Sequence, residues 1–245
     1  MKTKATIIYA LLLVFAFSGC EGSKKKDTAR AIQDTAKKPK RIIVIGIDET
    51  GSYGFWGQMK NMTTRIIENL RPGDILYVRR VTGTSYLDNS TIFRLEVPLI
   101  REAKTENPFD RKSKRRLISE IFKINMLKKE ACSRISAVRF TNAKNTDIYG
   151  FLAAANDKFD LAPQQYQRIL IIASDLKDNV GHKVNLEFSN VQVAVVGFQN
   201  SKKPAKTMKL KKMWIKRLTD AGASKIVFLS IEEGFSMDIF KGAQT

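Results

Sequence analysis

Residues Ile42-Ile43-Val44-Ile45-Gly46-Ile47 form an almost unbroken apolar run, β-branched at most positions, that stops abruptly at Asp48-Glu49-Thr50-Gly51-Ser52. Such a run has no side to show to water. It predicts a strand buried on both faces, as in a parallel sheet covered by helices above and below. Arg168–Ala173, ending in Ser174-Asp175, and Val191–Gly197 have the same character. Ile75–Val81 and Lys225–Leu229 read as further strands. Thr91–Val97 alternates Ile92, Arg94 and Glu96 with Phe93, Leu95 and Val97, the pattern of an edge strand with one wet face, and Asp88-Asn89 before it suits a turn. Helical periodicity separates these strands. Gly57–Leu70 carries Met59, Met62, Ile66, Ile67 and Leu70 on one face and is closed by Pro72-Gly73-Asp74. Lys112–Ser136 is helical and very basic, Asp147–Phe159 is amphipathic, and Lys206–Ala221 is the last helix. The expected fold is α/β: a doubly wound, mostly parallel six-stranded sheet with helices on both faces and one antiparallel edge strand.

The N-terminus has a different texture. Lys2 and Lys4 precede an apolar run, Ala5–Phe17. That is the layout of an export signal, and the run is shorter than the roughly 20 residues a membrane-spanning helix needs. It ends in Phe17-Ser18-Gly19-Cys20. Small residues before a cysteine resemble a bacterial lipobox, although Phe17 stands where leucine is usual. The resemblance implies removal of residues 1–19 and attachment of lipid to Cys20, with several acyl chains giving stable membrane attachment. Glu21–Arg41 carries eight Lys and Arg against three Asp and Glu, with few large apolar residues, and reads as a solvated tether able to lie against anionic headgroups. The expected organisation is a signal at 1–19, a lipidated, basic tether at 20–40 and a folded domain at 41–245. The expected location is extracytoplasmic, lipid-anchored to a bacterial membrane in the cell envelope.

The whole chain has a formal net charge of +19, which favours acidic partners or surfaces. Arg111, Lys112, Lys114, Arg115 and Arg116 form one basic cluster. Lys202, Lys203, Lys206, Lys209, Lys211 and Lys212 form another. Contact with anionic lipid is one reading of them and plain solvation another. No interleaved aromatics suggest base stacking, so sequence-specific nucleic-acid binding is not expected. His182 is the only histidine and the cysteines are Cys20 and Cys132, which leaves no zinc-site spacing. Cys132 reads as a small core residue on a helix.

In open α/β sheets, ligands bind beyond the carboxyl ends of the strands. Asp48 and Asp175 both stand there. Three separated pieces carry oxygen-bearing side chains: Asp48-x-Thr50-x-Ser52, Thr146-Asp147 at a helix start, and Ser174-Asp175. Together they resemble the metal-ion-dependent adhesion site of von Willebrand factor A (VWA) domains, with Thr50 where serine is usual. The resemblance spans residues 41–230 in element order. It implies that Asp48, Thr50, Ser52, Thr146 and Asp175 hold Mg2+ (or Mn2+ or Ca2+), that an acidic side chain of a protein ligand completes the ion's shell, and that the chain binds rather than catalyses. Hard cations of this kind want about six oxygens, and hydroxyls supply them without adding charge. A rival reading comes from the same strand. Ile42–Ser52 also resembles the first motif of haloacid dehalogenase-type phosphatases, in which Asp48 would be the nucleophile beside magnesium. A third is a metal-free scaffold in an envelope assembly.

Overall fold

The computed structural model describes residues 38–100, 111–181, 184–198, 204–231 and 236–240. The expected leader at 1–19, the expected lipidation site Cys20, all but the last residues of the expected tether, His182, Lys202 and Lys203 lie outside them. From Pro39 onward the chain forms a compact unit of its own.

Strand β1, Arg41–Asp48, is buried at every residue. It is flanked by β2 (Ile75–Val81) and β4 (Gln167–Ala173), both parallel to it. Beyond β4 lie β5 (Val191–Val196) and β6 (Lys225–Leu229), again parallel. At the other edge β3 (Thr91–Glu96) pairs antiparallel with β2. The sheet thus has six strands in the order β3-β2-β1-β4-β5-β6. Chain order reverses between β1 and β4, and open α/β sheets bind ligands beyond the strand ends at such a point. The end where the parallel strands finish is called the roof below, and the end where they begin the floor.

The unbroken apolar runs are explained by what covers the sheet. Ile43, Ile45 and Ile47 point into a core shared with α1 (Trp56–Glu68) and α2 (Arg111–Ala137). Ile42 and Val44 point into a second core shared with α3 (Ile148–Asp160) and α4 (Pro204–Asp220). The central strand β4 divides likewise, with Ile169, Ile171 and Ala173 on one side and Leu170 and Ile172 on the other. Each fully buried side chain of this size contributes about 1.5–3 kcal/mol, so neither core is dispensable. Gly46 lets α3 approach: a Cβ there would stand 2.5 Å from the ring of Phe151. On edge strand β3, Phe93 and Leu95 are buried while Arg94 and Glu96 are exposed, as alternation predicts.

Element boundaries lie within about two residues of those expected from periodicity, the scatter usual at helix ends. Cys132 differs more. It is a free thiol, half-buried against the first core rather than enclosed in it, and burial pushes its pKa up. Helices α1 and α2 are antiparallel. Near the roof Lys60 Nζ donates to the Ser136 carbonyl at 2.9 Å. Near the floor Lys128 Nζ donates to the carbonyls of Glu68 and Leu70 at 2.8 and 2.6 Å.

Candidate metal centre

The turn after β1 is wound around the carboxylate of Asp48. One oxygen, Oδ1, accepts from the Thr50 main-chain N–H at 2.9 Å and from the Thr50 hydroxyl at 2.7 Å. This is a turn that a short acidic or amide side chain closes on its own backbone. Ser52 Oγ lies 3.3 Å from Thr50 Oγ1. The other oxygen, Oδ2, accepts from the Ser174 hydroxyl at 2.6 Å, which ties the end of β4 to the end of β1. Ser174 Oγ in turn accepts from Leu176 N at 2.9 Å. Each donor named here is neutral, and no described residue forms a salt bridge with Asp48. Burial pushes the Asp48 carboxyl above the ordinary carboxylate range, the bonds from Ser174 and Thr50 hold it down, and the charge of Asp175 adds a smaller upward push.

Glu49, next in the chain, is fully buried but turns the other way. Its carboxylate accepts from Arg80 on β2 and, at 2.8 and 3.1 Å, from the hydroxyl and N–H of Thr141. Its carbonyl accepts from Ala143 N at 3.0 Å, and Thr50 forms a parallel bridge with Ala143. The segment before α3 is therefore stitched to the turn after β1. That segment delivers Thr146, which is 3% exposed. Thr146 N donates to Asn179 Oδ1 at 2.7 Å, and Asn179 N returns a bond to the Thr146 carbonyl at 3.1 Å. The Thr146 hydroxyl takes no part in this exchange. Asn179 belongs to the loop after β4 that also carries Asp175, so all three expected segments meet at the roof.

The neighbouring acids have other tasks. Asp147 caps α3 by accepting from Gly150 N at 2.7 Å, and Gly150 is needed there because a Cβ would stand 2.0 Å from Asp147 Oδ2. Asp178 accepts from Ile148 N at 2.8 Å and caps the same helix. Asp175 is 5% exposed, and its Oδ2 accepts from the half-exposed ammonium of Lys177 at 2.6 Å. Phe55 and Trp56 are anchors of the turn: Trp56 Nε1 donates to the Asp48 carbonyl at 2.9 Å and its ring stacks on Phe140, while Phe55 packs edge-on against Tyr53.

The sequence puts Ser174 in the third piece of the site beside Asp175 but does not reveal its bond to Asp48. Its adjacency to Asp175 was the available signal. Asn179 and Lys177 were also missed, since their partners are set by how the loop after β4 folds back. Among the described residues no group of three carboxylate, thiol or imidazole side chains forms a metal cluster. What the roof offers is two carboxylates with hydroxyls around them.

Solved structures share this architecture. A von Willebrand factor type A protein from Catenulispora acidiphila is 18% identical, with a TM-score of 0.50, over 78% of this chain and 39% of its own. That similarity establishes the fold. It is VWA-like. Proximal thread matrix protein 1 from the mussel byssus is 14% identical, with a TM-score of 0.45, over 80% of this chain and 45% of its own. An aerotolerance-related membrane protein from Bacteroides fragilis is 11% identical, with a TM-score of 0.39, over 78% of this chain and 90% of its own. The chain thus spans less than half the length of the first two proteins. No protein-family model matches it, and no curated protein does.

Proposed function

We propose that this VWA-like domain is a binding module that recognises a protein ligand through a divalent cation at the roof of the sheet, displayed at a bacterial membrane by lipid on Cys20. The observation that carries the reading is Asp48: a fully buried carboxylate held by neutral donors, with hydroxyls beside it. A buried charge without a compensating partner is costly, and a bound cation removes that cost. The donor set is oxygen throughout, which fits Mg2+, with Mn2+ or Ca2+ as substitutes. Asp48, Thr50, Ser52, Thr146 and Asp175 would hold the ion, directly or through water. The bound ion would supply a Lewis-acidic position for the carboxylate of a partner. The chain's own part is to hold the hydroxyls in place: Ser174 fixes Asp48, Asn179 fixes Thr146, and Glu49 fastens the two loops together. The Lys177 ammonium occupies Asp175 Oδ2, so direct coordination by that oxygen requires the lysine to swing away. The domain's basic balance adds long-range attraction for an acidic ligand.

The phosphatase reading has less support. It would draw on the acidic stretch after β4, yet Asp178 is engaged as a cap of α3 and Asp175 is paired with Lys177. The deciding experiment is a pull-down from envelope extract with and without chelator, using wild type and Asp48→Ala. A ligand retained only with metal and only by wild type supports the proposal. Retention indifferent to both treatments overturns it in favour of a metal-free scaffold. Magnesium-dependent hydrolysis of a generic phosphate ester, abolished in Asp48→Asn, overturns it in favour of the enzyme.

A further inference from the structure

Helix α2 has two apolar sides. The inner one, Ile124, Ala131 and Ile135, is buried in the first core. The outer one consists of Ile118, Phe122 and Met126, which are 63%, 64% and 51% exposed. Their spacing of four residues sets them in one stripe along the helix. Single exposed apolar residues are ordinary, but a row of three large ones on one helix line is not. Arg111, Arg115 and Lys129 are exposed and, by helical spacing, share that outward side. The helix as a whole has nine Lys and Arg against two Glu, so whatever covers the stripe is negatively charged.

Its position in the fold narrows the choice. Lys128 marks the floor: it binds the carbonyls of Glu68 and Leu70 that end α1. It also lies within electrostatic reach of Asp74 and Arg41, where the chain enters β1. Because α2 runs from floor to roof, the turns preceding Lys128 continue past the end of α1. That is roughly 25 Å of helix. The stripe therefore occupies the end of the domain at which the chain enters, opposite the metal centre.

We propose that this half of α2 is a membrane-docking surface that lies in the plane of an anionic phospholipid bilayer, with Ile118, Phe122 and Met126 inserted and Arg111, Arg115 and Lys129 on the headgroups. An exposed apolar stripe bordered by cations is the composition such interfacial helices require. The surface is independent of the metal proposal and of lipid on Cys20.

The test is vesicle flotation with residues 39–245, which form a compact unit containing the whole sheet and both cores. Vesicles of phosphatidylcholine alone are compared with equal parts phosphatidylcholine and phosphatidylglycerol, in chelator. The domain is expected to float with the mixed vesicles only. Ile118→Ser with Phe122→Ser is expected to weaken this at least about tenfold. Arg111→Ser with Arg115→Ser is expected to weaken it several-fold and to flatten its salt dependence. Asp48→Ala is expected to float like wild type, which separates this surface from the metal centre. Phe122→Trp, expected to blue-shift on vesicle binding, checks insertion without removing apolar surface. Failure to float with mixed vesicles, or unchanged flotation of the serine pair, overturns the proposal. So does a dimer in sedimentation that the serine pair dissociates, because the stripe then belongs to a second copy.

Discussion

Two carboxylates, Asp48 and Asp74, are both fully buried at opposite ends of the central strands. Their surroundings differ in kind. At the floor Asp74 is surrounded by charge-assisted donors: Arg41 Nε at 2.9 Å and Nη2 at 2.5 Å, with the main-chain N–H of Arg41 at 2.9 Å and of Arg71 at 2.7 Å. That carboxylate is complete, and its role is to lock the start of β1 to the start of β2. At the roof the donors to Asp48 are neutral: the Thr50 main-chain N–H and the hydroxyls of Thr50 and Ser174. On the function proposed above, the contrast separates a structural acid from one that would hold a cation.

Substitutions that break this contrast differ in size and in metal dependence. The largest effect is expected from Asp74→Ala, which strands the buried guanidinium of Arg41 and should cost about 3–5 kcal/mol in denaturant titration, equally with chelator or magnesium. Asp48→Ala should cost far less in chelator. It should instead abolish the gain that magnesium gives wild type, about 2.7 kcal/mol at a hundredfold excess over Kd. Ser174→Ala removes a hydrogen bond that holds the Asp48 pKa down. It should weaken magnesium binding by about 1 kcal/mol in calorimetry.

The pH dependence sharpens the same point. The folded-state pKa of Asp48 is raised by burial. Its contribution to stability is thus fully present below the unfolded carboxylate pKa and is lost as pH rises through the higher folded value. The gap in melting temperature between magnesium and chelator should widen from mildly acidic to neutral pH, and should be absent at every pH in Asp48→Ala. The smallest effect is expected at Lys177, whose ammonium is half-exposed: Lys177→Met frees Asp175 and should tighten magnesium binding by no more than a few-fold.

Much of the fold was legible because Ile42–Ile47, Ile169–Ala173 and Val193–Val196 are continuous apolar runs of strand length, the pattern of a sheet covered on both faces. The edge strand was legible because Arg94 and Glu96 alternate with Phe93 and Leu95. At the site, Asp48, Thr50 and Ser52 could be read together because a turn holds them within five residues. Ser174, Asn179 and Glu49 were not legible as partners. Their bonds reach across 126, 33 and 92 residues to Asp48, Thr146 and Thr141, and short polar side chains carry no long-range pattern. Helix α2 shows the same limit. Its period was plain, but that its first half extends past α1 depends on Lys128 binding the carbonyls of Glu68 and Leu70.

The most direct measurement is calorimetric titration of magnesium into chelator-stripped residues 39–245, with Asp48→Ala, Thr146→Ala and Asp74→Asn beside wild type. A single saturable site in wild type, lost in Asp48→Ala, weakened in Thr146→Ala and retained by whatever fraction of Asp74→Asn is folded, is the expected result. No binding heat in folded wild type, or a site that survives Asp48→Ala, would contradict the account.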